Sequence, residues 1–158
     1  MGSAQRRCLP ASGGARGRAR RRPPARDRGR AVSAAPCARA CLVVDDSRVV
    51  RKLARRMLEG HGFAVEEAED GARALDACRR AMPACVLLDW NMPVMNGLDF
   101  LKALREEFGP DNPPVVFCTT ENDIGRIAQA IEHGAQEFIM KPFDQQILLG
   151  KLAQVGLA

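Results

Sequence analysis

Five polar side chains stand where short apolar runs stop. Asp45 and Asp46 follow Ala40–Val44, Asp89 follows residues 85–88, Thr119 follows residues 115–118, and Lys141 follows Glu137–Met140. Carboxylates gathered at one place repel one another unless a cation joins them. A hard divalent ion is the simplest such cation. Magnesium suits an all-oxygen, partly hydrated site and brings phosphate oxygens with it. Lys141 would add a second positive charge and Thr119 a hydroxyl. A metal, a lysine, a hydroxyl and a nucleophilic carboxylate together suit phosphoryl transfer, where positioning and charge neutralisation supply most of the catalysis. Asp89 is the natural acceptor, and on taking the phosphoryl group it would become an acyl phosphate. Singly, each residue has an ordinary explanation: an Asp or Thr at a strand end caps the next helix, and Lys-Pro is a turn. Their recurrence at consecutive strand ends makes coincidence a poor account of all five.

The elements that must position them alternate in kind. Ala40–Val44 is a short apolar run, and Ser47 can cap a following helix. There Val49, Val50, Leu53, Ala54, Met57 and Leu58 form one stripe at helical period. Gly60 and Gly62 end it. Residues 63–68 read as a weaker strand, 71–82 as a helix stopped by Pro83, and 85–88 as a buried strand. A loop over 90–97 leads to a helix bearing Leu98, Leu101, Leu104 and Phe108. Pro113 and Pro114 introduce the strand 115–118. The next helix carries Ile124, Ile127, Ala128 and Ile131 at one spacing, Glu137–Met140 is a short strand, and a last helix runs through Ile147, Leu148, Leu152 and Val155. Strictly alternating strands and helices, with continuously apolar strands, imply an α/β protein. The expected architecture is a doubly wound five-stranded parallel sheet covered by five helices. Such folds bind ligands beyond the carboxyl ends of their strands, where the five polar residues stand.

Charge divides the chain unevenly. Residues 1–39 hold eleven arginines and one acid, Asp27, whereas the remainder holds 13 Lys+Arg against 18 Asp+Glu. We read 1–39 as a disordered basic arm, too poor in large apolar residues to offset its ordering entropy. A nucleic-acid or anionic-surface arm, a targeting segment, and a start assigned upstream of the true one are its competing explanations. The body, 40–158, is the expected folded domain. Tyrosine is absent and there is one tryptophan, which argues against base stacking as a central activity. No apolar run approaches the length of a transmembrane helix. Of the six cysteines, Cys85 and Cys118 sit in apolar runs as core residues. Cys37 and Cys41 lack the second pair that a zinc site needs, and Cys8 and Cys78 stand apart. Reduced thiols in a cytoplasmic protein are expected.

The motifs VVDDS (43–47), LLDWNMPVMNG (87–97), VFCTTEN (116–122) and IMKPF (139–143) resemble the receiver domain of two-component response regulators, of the stand-alone chemotaxis (CheY-like) type. The resemblance covers about residues 40–157. The spacings agree with it as well: 43 positions from Asp46 to Asp89, 30 from there to Thr119 and 22 on to Lys141. It implies a flavodoxin-like fold and a phosphoprotein acting in a phosphorelay. Asp89 would be phosphorylated by a histidine kinase, with Mg2+ held by Asp45, Asp46, Asp89 and the backbone carbonyl of Asn91. Thr119 and Lys141 would contact the phosphoryl oxygens. Thr119 and Phe138 would form the switch, with Phe138 where tyrosine is common in the family and more easily turned inward. Asn91 and Glu121 would tune dephosphorylation, and Lys141-Pro142 would be a cis bond.

With 17 residues after Lys141, no carboxy-terminal output domain is expected. Output would then be phosphorylation-dependent binding of a protein target, such as the flagellar motor switch or a relay component, with a histidine kinase or phosphotransfer protein upstream. The chain would be a switch rather than an enzyme, without nucleic acid or membrane insertion. Two alternatives stand beside this. An aspartate-nucleophile phosphatase of the haloacid dehalogenase type expects two aspartates at i and i+2 after the first strand, but Asp45 and Asp46 are adjacent. Nucleic-acid binding through the arginine arm is the other.

Overall fold

The computed structural model describes residues 39–120 and 124–157. Ten elements alternate along them: β1 (Ala40–Val44), α1 (Arg48–Glu59), β2 (Ala64–Ala68), α2 (Gly71–Arg80), β3 (Cys85–Asp89), α3 (Gly97–Phe108), β4 (Val115–Thr119), α4 (Ile124–Glu132), β5 (Glu137–Met140) and α5 (Gln145–Gln154). The strands form one sheet in the order β2-β1-β3-β4-β5, and every pairing is parallel. This is the doubly wound α/β arrangement that the alternation implied, in the flavodoxin-like form that the resemblance implied.

The three central strands are apolar along their length because both faces are covered. Leu42, Val44, Val86, Leu88, Val115 and Phe117 point to one side, against Ala74, Leu75 and Cys78 of α2 and Phe100, Leu101 and Leu104 of α3. The alternate residues Cys41, Val43, Cys85, Leu87, Val116 and Cys118 point to the other. There they meet Ala54 and Leu58 of α1 and Leu148 and Leu152 of α5. Each large side chain buried this way contributes roughly 1.5–3 kcal/mol. Helix starts are secured by side-chain caps: Ser47, Asp70, Asn96 and Asp144 accept from the backbone N–H of Val50, Arg73, Asp99 and Ile147.

Several details differ from the periodicity. The buried edge of α1 is narrower than its apolar stripe: Ala54 and Leu58 are buried, but Val49 is 76% and Leu53 48% exposed. Helix α2 ends at Arg80, because Ala81 is already extended (φ −154°, ψ 115°) and Pro83 disfavours a helical Met82. Helix α4 turns all of its stripe but Ile127 outward. Ile124 is 81% and Ile131 47% exposed while Ala130 is buried, since its inner side consists of Ala130 and half-buried Arg126 and Ile127. Strands β3 and β4 each run one residue further than read, so that Asp89 pairs with Cys118 and Thr119 with Met140. The carboxylate and the hydroxyl therefore belong to the sheet itself.

Cys41, Cys78, Cys85 and Cys118 are free and buried. Burial pushes the Cys78 thiol up to about 11 and that of Cys118 to about 12, so both stay protonated and unreactive near neutral pH. Cys8, Cys37 and residues 1–38 of the basic arm lie outside the described residues. No helix among the described residues is long and apolar enough to cross a membrane.

Candidate functional site

The strand order reverses between β1 and β3, and the chain leaves these strands toward opposite faces. The gap so formed at the carboxyl end of the sheet is where open α/β folds take ligands. Asp45 and Asp46 stand at the end of β1 and Asp89 ends β3, bracketing that gap. One carboxylate oxygen from each of the three lies within 4.8 Å of the others. Asp45 and Asp89 are buried and Asp46 is exposed. Lys141, just beyond β5, reaches across β4, and its Nζ lies 2.5 Å from Asp45 Oδ2 and 3.1 Å from Asp89 Oδ1. Buried Thr119 ends β4, and its carbonyl accepts from the Lys141 backbone N–H at 2.7 Å. All five residues read from the strand ends thus stand on one rim of the sheet.

Their electrostatics follow from one cation serving several carboxylates. Burial raises the Asp89 pKa, and the Asp45 charge adds to this; the Lys141 ammonium opposes both without cancelling them. For Lys141, burial works against its charge. Hydrogen bonding to Asp45 and the charges of Asp89 and Asp45 outweigh it, so its pKa rises and the ammonium persists. The site accordingly keeps an excess of buried negative charge, which a further cation would relieve. Three carboxylates this close form an all-oxygen donor set that fits a hard divalent ion such as Mg2+.

Local structure holds these groups in place. The Ser47 N–H donates to Asp45 Oδ1 at 2.8 Å, and Arg51 Nη1 donates to the Asp45 carbonyl at 2.6 Å. A Cβ on Gly97 would come within 2.2 Å of the Asp89 carbonyl oxygen and 2.9 Å of the Phe117 ring. The first residue of α3 must therefore be glycine for the helix to pass beneath Asp89. In the sequence Gly97 reads only as the end of a loop; its final place in LLDWNMPVMNG was the available signal. The Trp90 ring lies 5.3 Å from that of Phe117, tilted by 45°, and 5.6 Å from Arg126 Cζ. Periodicity offers no signal for the Arg126 contact, because it joins two elements through one unpredictable rotamer.

The remaining predicted positions vary in how near they come. Asn91 is exposed in the loop after β3. Phe138 is half-buried on β5 and packs against the α2/α3 side of the core. Lys151 Nζ lies 5.3 Å from its ring centroid and donates to Glu137 Oε2 at 2.8 Å. Glu121 lies outside the described residues. The Lys141-Pro142 bond is cis, as is Asn112-Pro113, which no motif foretold.

Residues 41–153 match the response regulator receiver domain, and the chain belongs to that family. The chemotaxis protein CheY homolog of Campylobacter jejuni is 39% identical over 116 residues, covering 72% of this chain and 89% of that protein. Among solved structures, the chemotaxis protein CheY4 of Vibrio cholerae is 34% identical with a TM-score of 0.70, covering 73% of this chain and 97% of that one. A CheY-like receiver domain protein from Methanospirillum hungatei, 23% identical, has a TM-score of 0.68 over 73% of this chain and 91% of its own, a likeness of fold. Family membership displaces the haloacid dehalogenase alternative.

Proposed function

We propose that this chain is a response-regulator receiver, phosphorylated on Asp89 by a histidine kinase or phosphotransfer protein and signalling by phosphorylation-dependent protein binding. The observation behind this reading is the Lys141 ammonium lodged between the Asp45 and Asp89 carboxylates, with the Asp46 carboxylate at the same rim. With Mg2+ bound, Asp45, Asp46, Asp89 and the Asn91 carbonyl would hold an ion that neutralises charge on the incoming phosphoryl group. Asp89 Oδ attacks phosphorus, the P–N bond to the donor imidazole breaks, and that nitrogen keeps the electron pair. Lys141 turns toward the phosphoryl oxygens and the Thr119 hydroxyl hydrogen-bonds to them. Hydrolysis of the acyl phosphate then restores Asp89, at a rate set in part by Asn91 and Glu121.

In this reading Thr119 and Phe138 carry the change to the face of α4, β5 and α5, a two-state element biased by local charge. The outward aliphatics Ile124 and Ile131 of α4 give that face an apolar surface for a protein target. The names of its relatives favour chemotaxis, with the flagellar motor switch or a relay component as the target and the cytoplasm as the place of action. The chain is a phosphoacceptor switch, not an enzyme turning over a separate substrate.

Incubation with Mg2+ and acetyl phosphate, followed by intact-mass measurement, tests the reading. The wild type should gain one phosphoryl group, labile in base, and Asp89→Asn should gain none. Stable incorporation on another residue, or labelling of Asp89→Asn at the wild-type level, would refute it.

A further inference from the structure

Arg126 stands apart from the predicted site, yet the geometry ties it to Asp89, and the role inferred for it rests on Asp89 being the phosphoacceptor. Trp90 is the next residue after Asp89, and its ring is held by Phe117 on β4 and by the guanidinium of Arg126 on α4. Arg126 is the third residue of α4. That helix is thinly seated, with Ala130 its one buried residue among those described and Ile124 and Ile131 turned outward. The Arg126–Trp90 contact therefore ties the first turn of α4 to the acceptor loop. Its attraction is electrostatic, a cation over the negative face of a ring, so a stronger anion nearby competes for the same guanidinium. Phosphorylation of Asp89 would replace the single carboxylate charge with about two negative charges on phosphoryl oxygens that project further from β3, one residue from that ring. Phosphoryl oxygens also suit the planar fork of arginine better than an aromatic face does.

We propose that Arg126 is a positioning residue that senses charge on Asp89: its guanidinium leaves the Trp90 ring for the phosphoryl group and re-seats the first turn of α4. Trp90 is the chain's single tryptophan, so tryptophan emission comes from this ring alone, and the Arg126 variants isolate the share of it that depends on the contact. The full chain is compared as wild type, Arg126→Met, Arg126→Gln and Arg126→Lys. Fluorescence is recorded with Mg2+ alone and again after acetyl phosphate, and incorporation is measured by mass on the same samples. The wild type should show a donor-dependent emission change beyond that of Mg2+. At incorporation within about twofold of wild type, both neutral variants should show a change about fourfold smaller, and Arg126→Lys an intermediate one. A merely structural contact would alter emission equally with and without donor. A full donor-dependent change in either neutral variant would overturn the inference. So would a folded neutral variant that fails to incorporate phosphate, since Arg126 would then act in the transfer itself. Failure of the wild type to incorporate phosphate would instead overturn the acceptor reading, and the mass measurement tells the two apart.

Discussion

At Asp89, burial and the Asp45 charge outweigh the help of Lys141, and the folded pKa lies above the usual value of 3.8. The folded state thus holds that proton more tightly than the unfolded state does. Ionisation then lowers stability as pH rises from about 3.8 through the folded pKa, and the loss is complete above it. In metal-free protein, Asp89→Asn should raise Tm at pH 7 by about 2–5 °C. The gain should shrink as pH falls toward 4, as calorimetry at the two pH values would show. Lys141 behaves oppositely. Its raised pKa means its contribution is fully present below about 10.5 and is lost as pH rises through the folded pKa. Lys141→Met should cost about 3–5 kcal/mol at pH 7, measured by urea unfolding, because it leaves buried carboxylates without their cation. These residues were legible as types at strand ends. The sharing of one ammonium by two carboxylates was not, because it depends on how far Lys141 reaches across β4.

Among the elements, the start of α3 is the least forgiving. With the Asp89 carbonyl 2.2 Å from a hypothetical Cβ, Gly97→Ala must push the helix off β3. We expect a loss of about 3 kcal/mol in chemical denaturation, with weaker phosphate incorporation at Asp89. The start of α1 is milder: Ser47→Ala removes one cap and should cost about 1 kcal/mol. Element type and order were readable because apolar periodicity reports burial, and the central strands are buried on both faces. The facing of α4 was not. Its stripe of Ile124, Ile127, Ala128 and Ile131 satisfies helical spacing, but a helix can seat on either edge of such a stripe, and here only Ile127 of the four faces inward, with Arg126 and Ala130.

For the whole molecule, the arm and the body separate as predictions. The sheet begins at Ala40, and Arg39 supplies the carbonyl that accepts from the Ala64 N–H. Deleting residues 1–37 should therefore leave Tm and phosphate incorporation unchanged; a loss of either would give the arm a role in the switch. Mg2+ should stabilise the folded chain by mass action, about 2.7 kcal/mol at a hundredfold excess over its Kd. Asp46→Ala should weaken that gain in a thermal-shift titration. The alternating pattern, the polar residues closing each apolar run and the contrast between basic arm and acidic body were already present in the linear chain, since they depend on residue type and neighbours alone. Tertiary structure decided the strand order that opens the gap between β1 and β3, the distances among Asp45, Asp46, Asp89 and Lys141, the clearance at Gly97 and the seat of Arg126 on Trp90. Each of these pairs atoms from segments apart in sequence, and only the packing of helices on both faces of the sheet brings them within reach.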